Sequence, residues 1–365
     1  MVPNEMVLKG NEVNTERALK EMLISKRRRS RLPQWGVAWL VLLPALIFLT
    51  MFMLYPIVNT FLSAFIQNYN YTENGGSFAI GQFIAGVQDG NGMNMAFGLS
   101  NFKMALANPT FIRSIGNTAI LVIIEVPLTI IVSLLIATFL NGIKVLKGFY
   151  QTIFFLPYVT NTIALGLVFN IVFANTPGGL MNILITKFGG DPINWLSRKP
   201  YDGVASQVAE GGASRFHQGF VIVLYALWNG LAFKILVFMS GLATIDSQYY
   251  NAAKIDGASN FTIWRRITIP LLSPQILYIT ITSFIGAFKM YTGVMSVYSG
   301  AVADAYWFGG EDGNEWIPVV GWIYKTLDSN YDKTGVASAA SLILLAIIMV
   351  ITALQFAVSK KRVHY

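Results

Sequence analysis

Six long apolar runs limit what this chain of 365 residues can fold into. Each run is long enough to cross a lipid bilayer, for which a helix needs about 20 residues. Only 12% of the residues are charged, against roughly 25% in soluble domains. We therefore expect an all-α membrane protein with six transmembrane helices. The runs cover 35–66, 115–140, 149–174, 219–242, 267–290 and 336–358.

These runs divide the chain into successive segments. The first run is too long, and lies too far from the first residue, to be a cleavable signal peptide, so we expect it to be retained. The expected segments are a basic N-terminal segment (1–34), the first transmembrane helix (35–66), a polar extracytoplasmic loop (67–113), a transmembrane domain (114–358) with an amphipathic connection (244–266), and a basic tail (359–365).

The distribution of charge predicts the orientation in the membrane. The face with both termini and the connections at 141–148 and 244–266 carries 16 basic and six acidic residues, and the opposite face carries eight basic and eleven acidic ones. Cytoplasmic loops are enriched in Lys and Arg, so we expect both termini in the cytoplasm. The net charge of +8 is then explained by the orientation in the membrane and does not indicate that the chain binds nucleic acid. The basic cluster at 26–31 is the strongest such signal, although it also has the composition of an anionic-lipid site.

Composition excludes several kinds of chemistry. The chain has no Cys and only two His, which removes thiolate sites and zinc sites of the H-E-x-x-H type. We therefore expect no metal and no catalytic residue in this chain. The dipeptide Gly-Lys is absent, so the chain has no G-x-x-x-x-G-K-[ST] phosphate loop. If transport uses ATP, another chain must hydrolyse it.

The connection at 244–266 has the most distinctive sequence. From Tyr249 to Pro270 the chain is YYNAAKIDGASNFTIWRRITIP. A helix-compatible segment is followed by Gly257, which permits a sharp turn, and by a second amphipathic turn. Pro270 and Pro274 then stand where the next helix begins, a position that tolerates proline. We predict a short helix–turn–helix on the cytoplasmic surface, a shape suited to docking in a groove of a partner.

This stretch resembles the EAA loop in permease subunits of bacterial ATP-binding-cassette (ABC) importers, commonly E-A-A-x-x-D-G-A followed by a proline. Asn251 replaces the usual Glu, so it can form a hydrogen bond but no ion pair. Shorter matches to the carbohydrate branch, related to the maltose and glycerol-phosphate permeases, lie at 100–118, 322–324 and 335–339. The residues that align with the loop without a gap are Asn251, Ala252, Ala253, Asp256, Gly257 and Ala258.

The resemblance implies a type I ABC importer permease fold with a cytoplasmic coupling helix. It implies a non-enzymatic subunit of the bacterial cytoplasmic membrane that forms half of a sugar or oligosaccharide pathway. The expected partners are a second, similar permease in a heterodimer, a dimer of ABC ATPases that binds ATP and Mg²⁺, and an extracytoplasmic solute-binding protein. No cofactor is expected in this chain itself.

Charged residues inside the apolar runs are candidates for function, because a charge within a membrane is costly. Lys289 lies near the end of its run and can reach the interface by extending its side chain. Glu125 and Lys234 lie deeper, and we expect them to face protein or water along the substrate pathway.

A further set of polar residues predicts the lining of that pathway. In the fourth run, Asn229, Gly230 and Phe233 share one helical face, where an aromatic ring and an amide suit a sugar. Packing between helices also uses glycine, so this interpretation stays open. In maltose-type permeases the substrate contacts lie on the spans that flank the loop, and these three residues and Ser283 fall near such positions. Asn161 is a further candidate, although both Asn161 and Ser283 can bond to their own helix.

Two other functions remain open on the sequence alone. A self-sufficient secondary transporter or channel would not need the loop and would often carry inverted repeats. A membrane-embedded transferase or hydrolase would need catalytic acids, and a solvated acidic loop is the simpler explanation for the acids present. Those acids are Asp304, Glu311, Asp312 and Glu315.

Overall fold

The computed structural model of the chain is mostly helical. It divides into two compact units, residues 1–60 and 61–365. The basic cluster at 26–31, most of the basic tail and the four acids at 304–315 lie outside the described residues. The described residues are 34–67, 81, 96–143, 145–174, 178–196, 215–298, 316–329 and 333–359.

Fifteen helices are found among the described residues. Two π-helical turns, Thr50–Leu54 and Trp264–Thr268, join consecutive helices, and Ile66–Gln67 (β1) pairs antiparallel with Ala96–Phe97 (β2). The helices are α1 (Gln34–Leu49), α2 (Tyr55–Phe65), α3 (Ser100–Ala107), α4 (Pro109–Gly142), α5 (Lys147–Val159), α6 (Thr162–Val172), α7 (Leu180–Lys187), α8 (Arg215–Ala243), α9 (Ser247–Ile255), α10 (Asn260–Ile263), α11 (Ile269–Leu271), α12 (Ser273–Phe288), α13 (Thr292–Tyr298), α14 (Val319–Ser329) and α15 (Thr334–Ser359).

The long helices correspond to the predicted apolar runs. Four helical stretches are long and apolar enough to cross a membrane, and two further pairs of helices would each do so as a bent span. Counting each pair as one span gives six, in the predicted order. The four are Trp35–Phe65, Pro109–Gly142, Arg215–Ala243 and Thr334–Ser359, and the bent pairs are Gly148–Val159 with Thr162–Val172 and Asn260–Leu271 with Ser273–Phe288.

The third run is not the continuous helix that was predicted. A bend of 98° separates its two halves, α5 and α6. Thr160 is extended between them, and the side chain of Asn161 accepts a hydrogen bond of 2.8 Å from the backbone N–H of Ile163, which caps α6. Pro157 lies in the last turn of α5 and weakens that turn, because proline has no N–H to donate. Asn161 therefore lies at a helix break and not within a regular span.

The fifth run is also bent, by 68°, where Leu272 joins α11 to α12. Pro274 stands in the first turn of α12, as expected for a residue without an N–H, whereas Pro270 lies just after the π-helical turn, near the end of the continuous stretch Asn260–Leu271. Gly241 of α8 packs close to this bend, since a β-carbon there would lie 2.8 Å from the side chain of Leu272. The bend thus brings α12 against α8.

The core of the 61–365 unit forms where α4 packs along α8 and along the last helices. Near one end of the bundle, Leu134 and Leu140 of α4 pack with Phe238 of α8 and with α12. Near the other end, the Phe111 and Trp322 rings lie 4.7 Å apart. α4 is therefore the central helix on which the other elements are arranged.

The predicted family matches at 100–118 and 335–339 have structural roles. The side-chain amide of Asn101 donates to the carbonyl oxygens of Ala64 and Ile66, at 3.1 and 2.9 Å, and so completes the end of α2. Gly335 lies against that amide, because a β-carbon there would be 2.6 Å from its nitrogen. Asn108 caps α4 by accepting from two backbone N–H groups. These residues position helices.

Candidate functional site

The predicted helix–turn–helix is confirmed and is formed by residues 247–268, here named the knob. Asp246 caps α9 by accepting a 2.9 Å hydrogen bond from the N–H of Gln248, and Ser259 caps α10. At the turn, Ala258 N–H donates to the Ala253 carbonyl at 2.9 Å and Gly257 N–H donates to Lys254 at 3.1 Å. This pair of bonds is a Schellman motif, and Gly257 takes its left-handed position with φ of +73°.

One side-chain hydrogen bond attaches the knob to α4. The indole N–H of Trp264 donates to Thr138 of α4 at 3.3 Å. Within the knob, the hydroxyl groups of Tyr250 and Thr268 lie 3.3 Å apart and hold its two ends together. Trp264 also packs against the core around Leu140 and Phe238. A force on the knob would therefore be transmitted directly to α4 and, along the chain, to α11.

The other face of the knob is exposed and partly apolar. Ile255 is 86% exposed and Phe261 is 66% exposed. Of the six residues aligned with the EAA loop, Ala253 is buried, Ala258 is half-buried, and the rest are exposed. Exposed large apolar residues with few charges between them are typical of a docking surface. The exposed members are Asn251, Ala252, Asp256 and Gly257.

Phe233 of α8 meets Tyr158 at the break between α5 and α6. The two rings are nearly parallel, with 6.1 Å between centroids and 22° between planes. Both are accessible, since Tyr158 is 61% exposed and Phe233 is 37% exposed. Exposed stacked rings present a flat apolar face with a phenolic hydroxyl at one side, which suits the ring face and the hydroxyl groups of a sugar.

The other predicted pathway residues lie on three different elements. Asn229 and Gly230 are half-buried on α8, one turn before Phe233. Asn161 is exposed at the break three residues after Tyr158, with its side-chain oxygen already used to cap α6. Ser283 is half-buried on α12. Asn229 and Asn161 are thus each three or four residues from a ring of the pair.

Glu125 and Lys234 are close to each other and are buried. Each is 7% exposed, and both lie at the contact between α4 and α8. Both lie beside Gly230. In contrast to Phe233, neither side chain is accessible within this chain.

A cluster of polar contacts at the far end of α8 was not predicted. It consists of Asn117, Thr118, Arg215 and Trp316, and we name these four residues the clasp. Arg215 donates to the side-chain oxygen of Asn117 at 2.9 Å and lies over the Trp316 ring, 5.0 Å from its centroid. The Trp316 indole donates to the Arg215 carbonyl at 2.7 Å, and Thr118 accepts from the N–H of Val319 at 2.9 Å. The clasp joins α4, α8 and the approach to α14.

Tyr158 is the candidate site residue that sequence reasoning missed. Its ring lay within a run predicted as one continuous helix, where it had no distinguishing position. The signal that was available is the proline immediately before it, since Pro157 followed by Thr160 and Asn161 indicates a possible helix boundary. Only the break exposes Tyr158 beside Phe233.

The region that contains the knob and the aromatic pair also matches a known protein family. Residues 129–364, which include the knob, Tyr158 and Phe233, match the model of the family described as binding-protein-dependent transport system inner membrane component. This match covers more than half of the chain. The chain belongs to this family. The predicted resemblance to permease subunits of binding-protein-dependent importers is therefore confirmed.

Individual members of the family show similarity over most of their length. The chain is 30% identical over 272 residues to the arabinooligosaccharides transport system permease protein AraP of Bacillus subtilis (strain 168), covering 72% of this chain and 75% of AraP. It is 26% identical over 328 residues to the lactose transport system permease protein LacF of Rhizobium radiobacter, covering 89% and 94% of the two chains. Both are permease components of transport systems, so the family member described here is a transport component as well.

A solved structure shares the fold. A chain from the crystal structure of a bacterial alginate ABC transporter, in complex with an alginate pentasaccharide-bound periplasmic protein, superposes with a TM-score of 0.67. The superposition covers 89% of this chain and 94% of that one at 17% sequence identity. At this identity the similarity shows the fold alone. The fold of this family member is that of an ABC transporter permease chain.

Proposed function

We propose that this chain is one permease subunit of an ATP-driven importer of sugars or oligosaccharides. It forms half of the translocation pathway, and a second, similar permease forms the other half. A separate dimer of ATPases binds ATP and Mg²⁺, and an extracytoplasmic binding protein delivers the solute. The single observation that carries this proposal is the knob, a capped helix–turn–helix attached to α4 with an exposed apolar face.

The knob supports coupling to an ATPase because it is both rigid and exposed. Its ends are capped and its turn is closed by two backbone hydrogen bonds, so a push on it displaces it as a unit. The exposed side chains of Ile255 and Phe261 supply apolar anchors for a groove in the partner. We infer that the ATPase docks on Asn251, Ala252, Asp256, Gly257 and Ala258, and that Ala253, buried beneath them, packs α9 in place.

The pair of Tyr158 and Phe233 supports a carbohydrate as the solute. Sugar rings have apolar faces that stack on aromatic side chains, and their hydroxyl groups bond to amides such as those of Asn229 and Asn161. The relatives AraP and LacF are permeases of systems whose names give arabinooligosaccharides and lactose. We infer a pathway that passes these residues, with Gly230 and Ser283 at its edge.

In this mechanism the solute site opens alternately to the two sides of the membrane. Closure of the ATPase dimer moves the knob, and Trp264 transmits the movement to α4 through Thr138. A transporter of this kind needs two states whose balance the partner shifts, and ATP binding supplies the difference in free energy. Both termini and the knob then lie in the cytoplasm, and the clasp lies at the opposite surface of the cytoplasmic membrane.

The test uses the complex expressed with its partner permease, ATPase and binding protein. Asp256→Arg places a bulky positive charge on the docking face, and Gly257→Pro cannot adopt the required φ. We expect both to abolish sugar uptake and binding-protein-stimulated ATP hydrolysis, while the chain still inserts in the membrane. Asp191→Arg makes the same charge change at an exposed position after α7 and should keep both activities.

The same experiment separates this proposal from a self-sufficient transporter. If uptake persists in Asp256→Arg, or in cells that lack the ATPase, the docking role is wrong and the chain acts alone. A screen of sugars and oligosaccharides against the binding protein identifies the solute, because that protein receives it first. Binding of no carbohydrate at all would contradict the proposed substrate class.

A further inference from the structure

Glu125 of α4 and Lys234 of α8 are two opposite charges buried at membrane depth, each 7% exposed. Lys234 lies nine residues before the end of α8 at Ala243, which corresponds to about 13 Å along the helix. This distance is too long for its ammonium group to reach the interface by extension of the side chain. A charge in such a position requires a partner inside the protein.

Gly230 provides the space in which the two side chains approach each other. A β-carbon on Gly230 would lie 2.9 Å from the ammonium nitrogen of Lys234 and 4.0 Å from Oε1 of Glu125. It would also lie 3.3 Å from a methyl carbon of Thr129 on α4. The ammonium group of Lys234 therefore folds back over Gly230 toward α4, where the Glu125 carboxylate is located.

The carboxylate of Glu125 depends on this neighbour for compensation of its charge. Its other oxygen, Oε2, is buried and has no hydrogen-bond partner among the described residues. An ionised carboxylate in apolar surroundings is strongly unfavourable unless an opposite charge lies nearby. An opposite charge close by is the compensation that burial of an ionised Glu125 or Lys234 requires, and Gly230 places both groups near one point.

We propose that Glu125 and Lys234 form an intramembrane charge pair that positions α8 on α4 and thereby keeps Phe233 turned toward Tyr158. Lys234 directly follows Phe233, and one residue turns a helix by about 100°. A rotation of α8 by one residue would leave both charges unpaired and would carry Phe233 away from its stacking partner. The pair acts through Phe233 and is therefore a positioning pair. Its link to a sugar rests on the proposed function, whereas its link to the rotation of α8 does not.

The first experiment compares single and paired neutralisation in the assembled complex. Glu125→Gln and Lys234→Met each leave one buried charge alone, and we expect each to lower the maximal uptake rate at least tenfold and to raise the KM for the sugar. The variant with both changes leaves no unpaired charge and should recover to within about threefold of the wild type, because unpaired charges are what the single changes create. Lys289→Met, which removes an exposed lysine from the end of α12, is the matched control.

The second experiment measures the rotation of α8 without any transport. The chain has no cysteine, so a single introduced thiol is labelled without background. Phe233→Cys should react with a water-soluble maleimide at least fivefold more slowly when combined with Lys234→Met than alone, and the double neutralisation should restore most of the rate. Combination with Lys289→Met should leave the rate unchanged.

The outcomes distinguish the two proposals. Equal labelling of Phe233→Cys with and without Lys234→Met, or a double variant as impaired as the two single changes combined, would overturn the positioning pair. If the wild-type complex imports no sugar, the proposed function fails, while the labelling rates still decide whether the pair sets the rotation of α8.

Discussion

At the scale of single residues, Gly257 shows that a glycine can be required by backbone geometry alone. Its φ is +73°, and a β-carbon added there would meet no atom within 4 Å. Space is therefore available for a side chain, and the conformation is the constraint. A residue with a β-carbon in the left-handed region costs about 1–2 kcal/mol, and Asn tolerates it better than others.

Because the backbone conformation and not the available space limits position 257, substitutions there should differ in effect according to how well each residue tolerates a positive φ. Gly257→Asn should retain most binding-protein-stimulated ATP hydrolysis, Gly257→Ala less, and Gly257→Val least, because the backbone strain in the turn increases in that order. The order of the three variants is measured by ATP hydrolysis and sugar uptake in the purified, reconstituted complex. Gly148→Ala, at another glycine with open space but in a helix, should have no effect. Equal activity of all three variants would show that the turn geometry is not needed.

The aromatic pair gives a second prediction at this scale. Phe233→Leu and Tyr158→Leu each remove one ring of a stacked pair, which contributes about 1 kcal/mol, so the KM for the sugar should rise about fivefold. Phe233→Tyr keeps the ring and should remain near the wild-type KM. Uptake kinetics provide the measurement, and Leu236→Ala, at an exposed position of the same helix, is the control. An unchanged KM in both leucine variants would remove the pair from the pathway.

At the scale of elements, the clasp fixes one end of α8 to α4. Asn117 is fully buried, and its amide group both accepts from Arg215 and donates to the carbonyl of Ile317 at 3.3 Å. Replacing Asn117 with an apolar residue would leave the Arg215 guanidinium and the Ile317 carbonyl without this partner. The clasp therefore links three segments that are distant in sequence.

Asn117→Leu should lower the thermal unfolding temperature of the detergent-purified complex, because it leaves a buried carbonyl and a guanidinium without their partner, at a cost of about 2 kcal/mol. Ile120→Leu, one turn further along α4 and 41% exposed, is the matched control and should not change it. An equal unfolding temperature for both variants would mean that water replaces the lost hydrogen bonds and that the clasp does not stabilise the bundle.

The knob and the clasp also show which parts of the structure the sequence predicts. The knob was predictable because its signals are local: a capping residue, a glycine and a proline within about twenty residues of one another. The clasp was not, because its hydrogen bonds join residues 98 and 200 positions apart. The break at Thr160 was missed for another reason: the polar stretch from Thr160 to Thr162 is short and lies between two apolar segments, so the run as a whole keeps the hydropathy of one continuous helix. Glu125 and Lys234 were each noticed, but only the structure brings them together.

At the scale of the whole molecule, α8 places the knob and the clasp at opposite ends of one helix. Arg215 begins it and Ala243 ends it, about 42 Å apart at 1.5 Å per residue. This length exceeds the hydrocarbon thickness of about 30 Å, so both ends extend beyond it. Whichever side holds the knob, the clasp faces the other.

The excess of basic residues predicts that the knob side is cytoplasmic. Single cysteines test this in the cysteine-free chain: Asp191→Cys should react with a membrane-impermeant maleimide in intact cells, whereas Ser359→Cys and Ala252→Cys should react only after permeabilisation. Protection of Asp191→Cys together with labelling of Ser359→Cys in intact cells would reverse the orientation.

The break between α5 and α6 has a consequence for the solvent inside the membrane. The last turn of a helix leaves carbonyl oxygens with no N–H from the following turn, and the 98° bend supplies no continuing helix to satisfy them. Hydrocarbon offers no hydrogen-bond donor, so irregular backbone persists at membrane depth only where it is buried in protein or lines a water-filled cavity. Tyr158 and Val159, at the end of α5, are 61% and 81% exposed. The backbone at this point therefore requires either the second permease packed over it or water, or hydroxyl groups that can take the place of water.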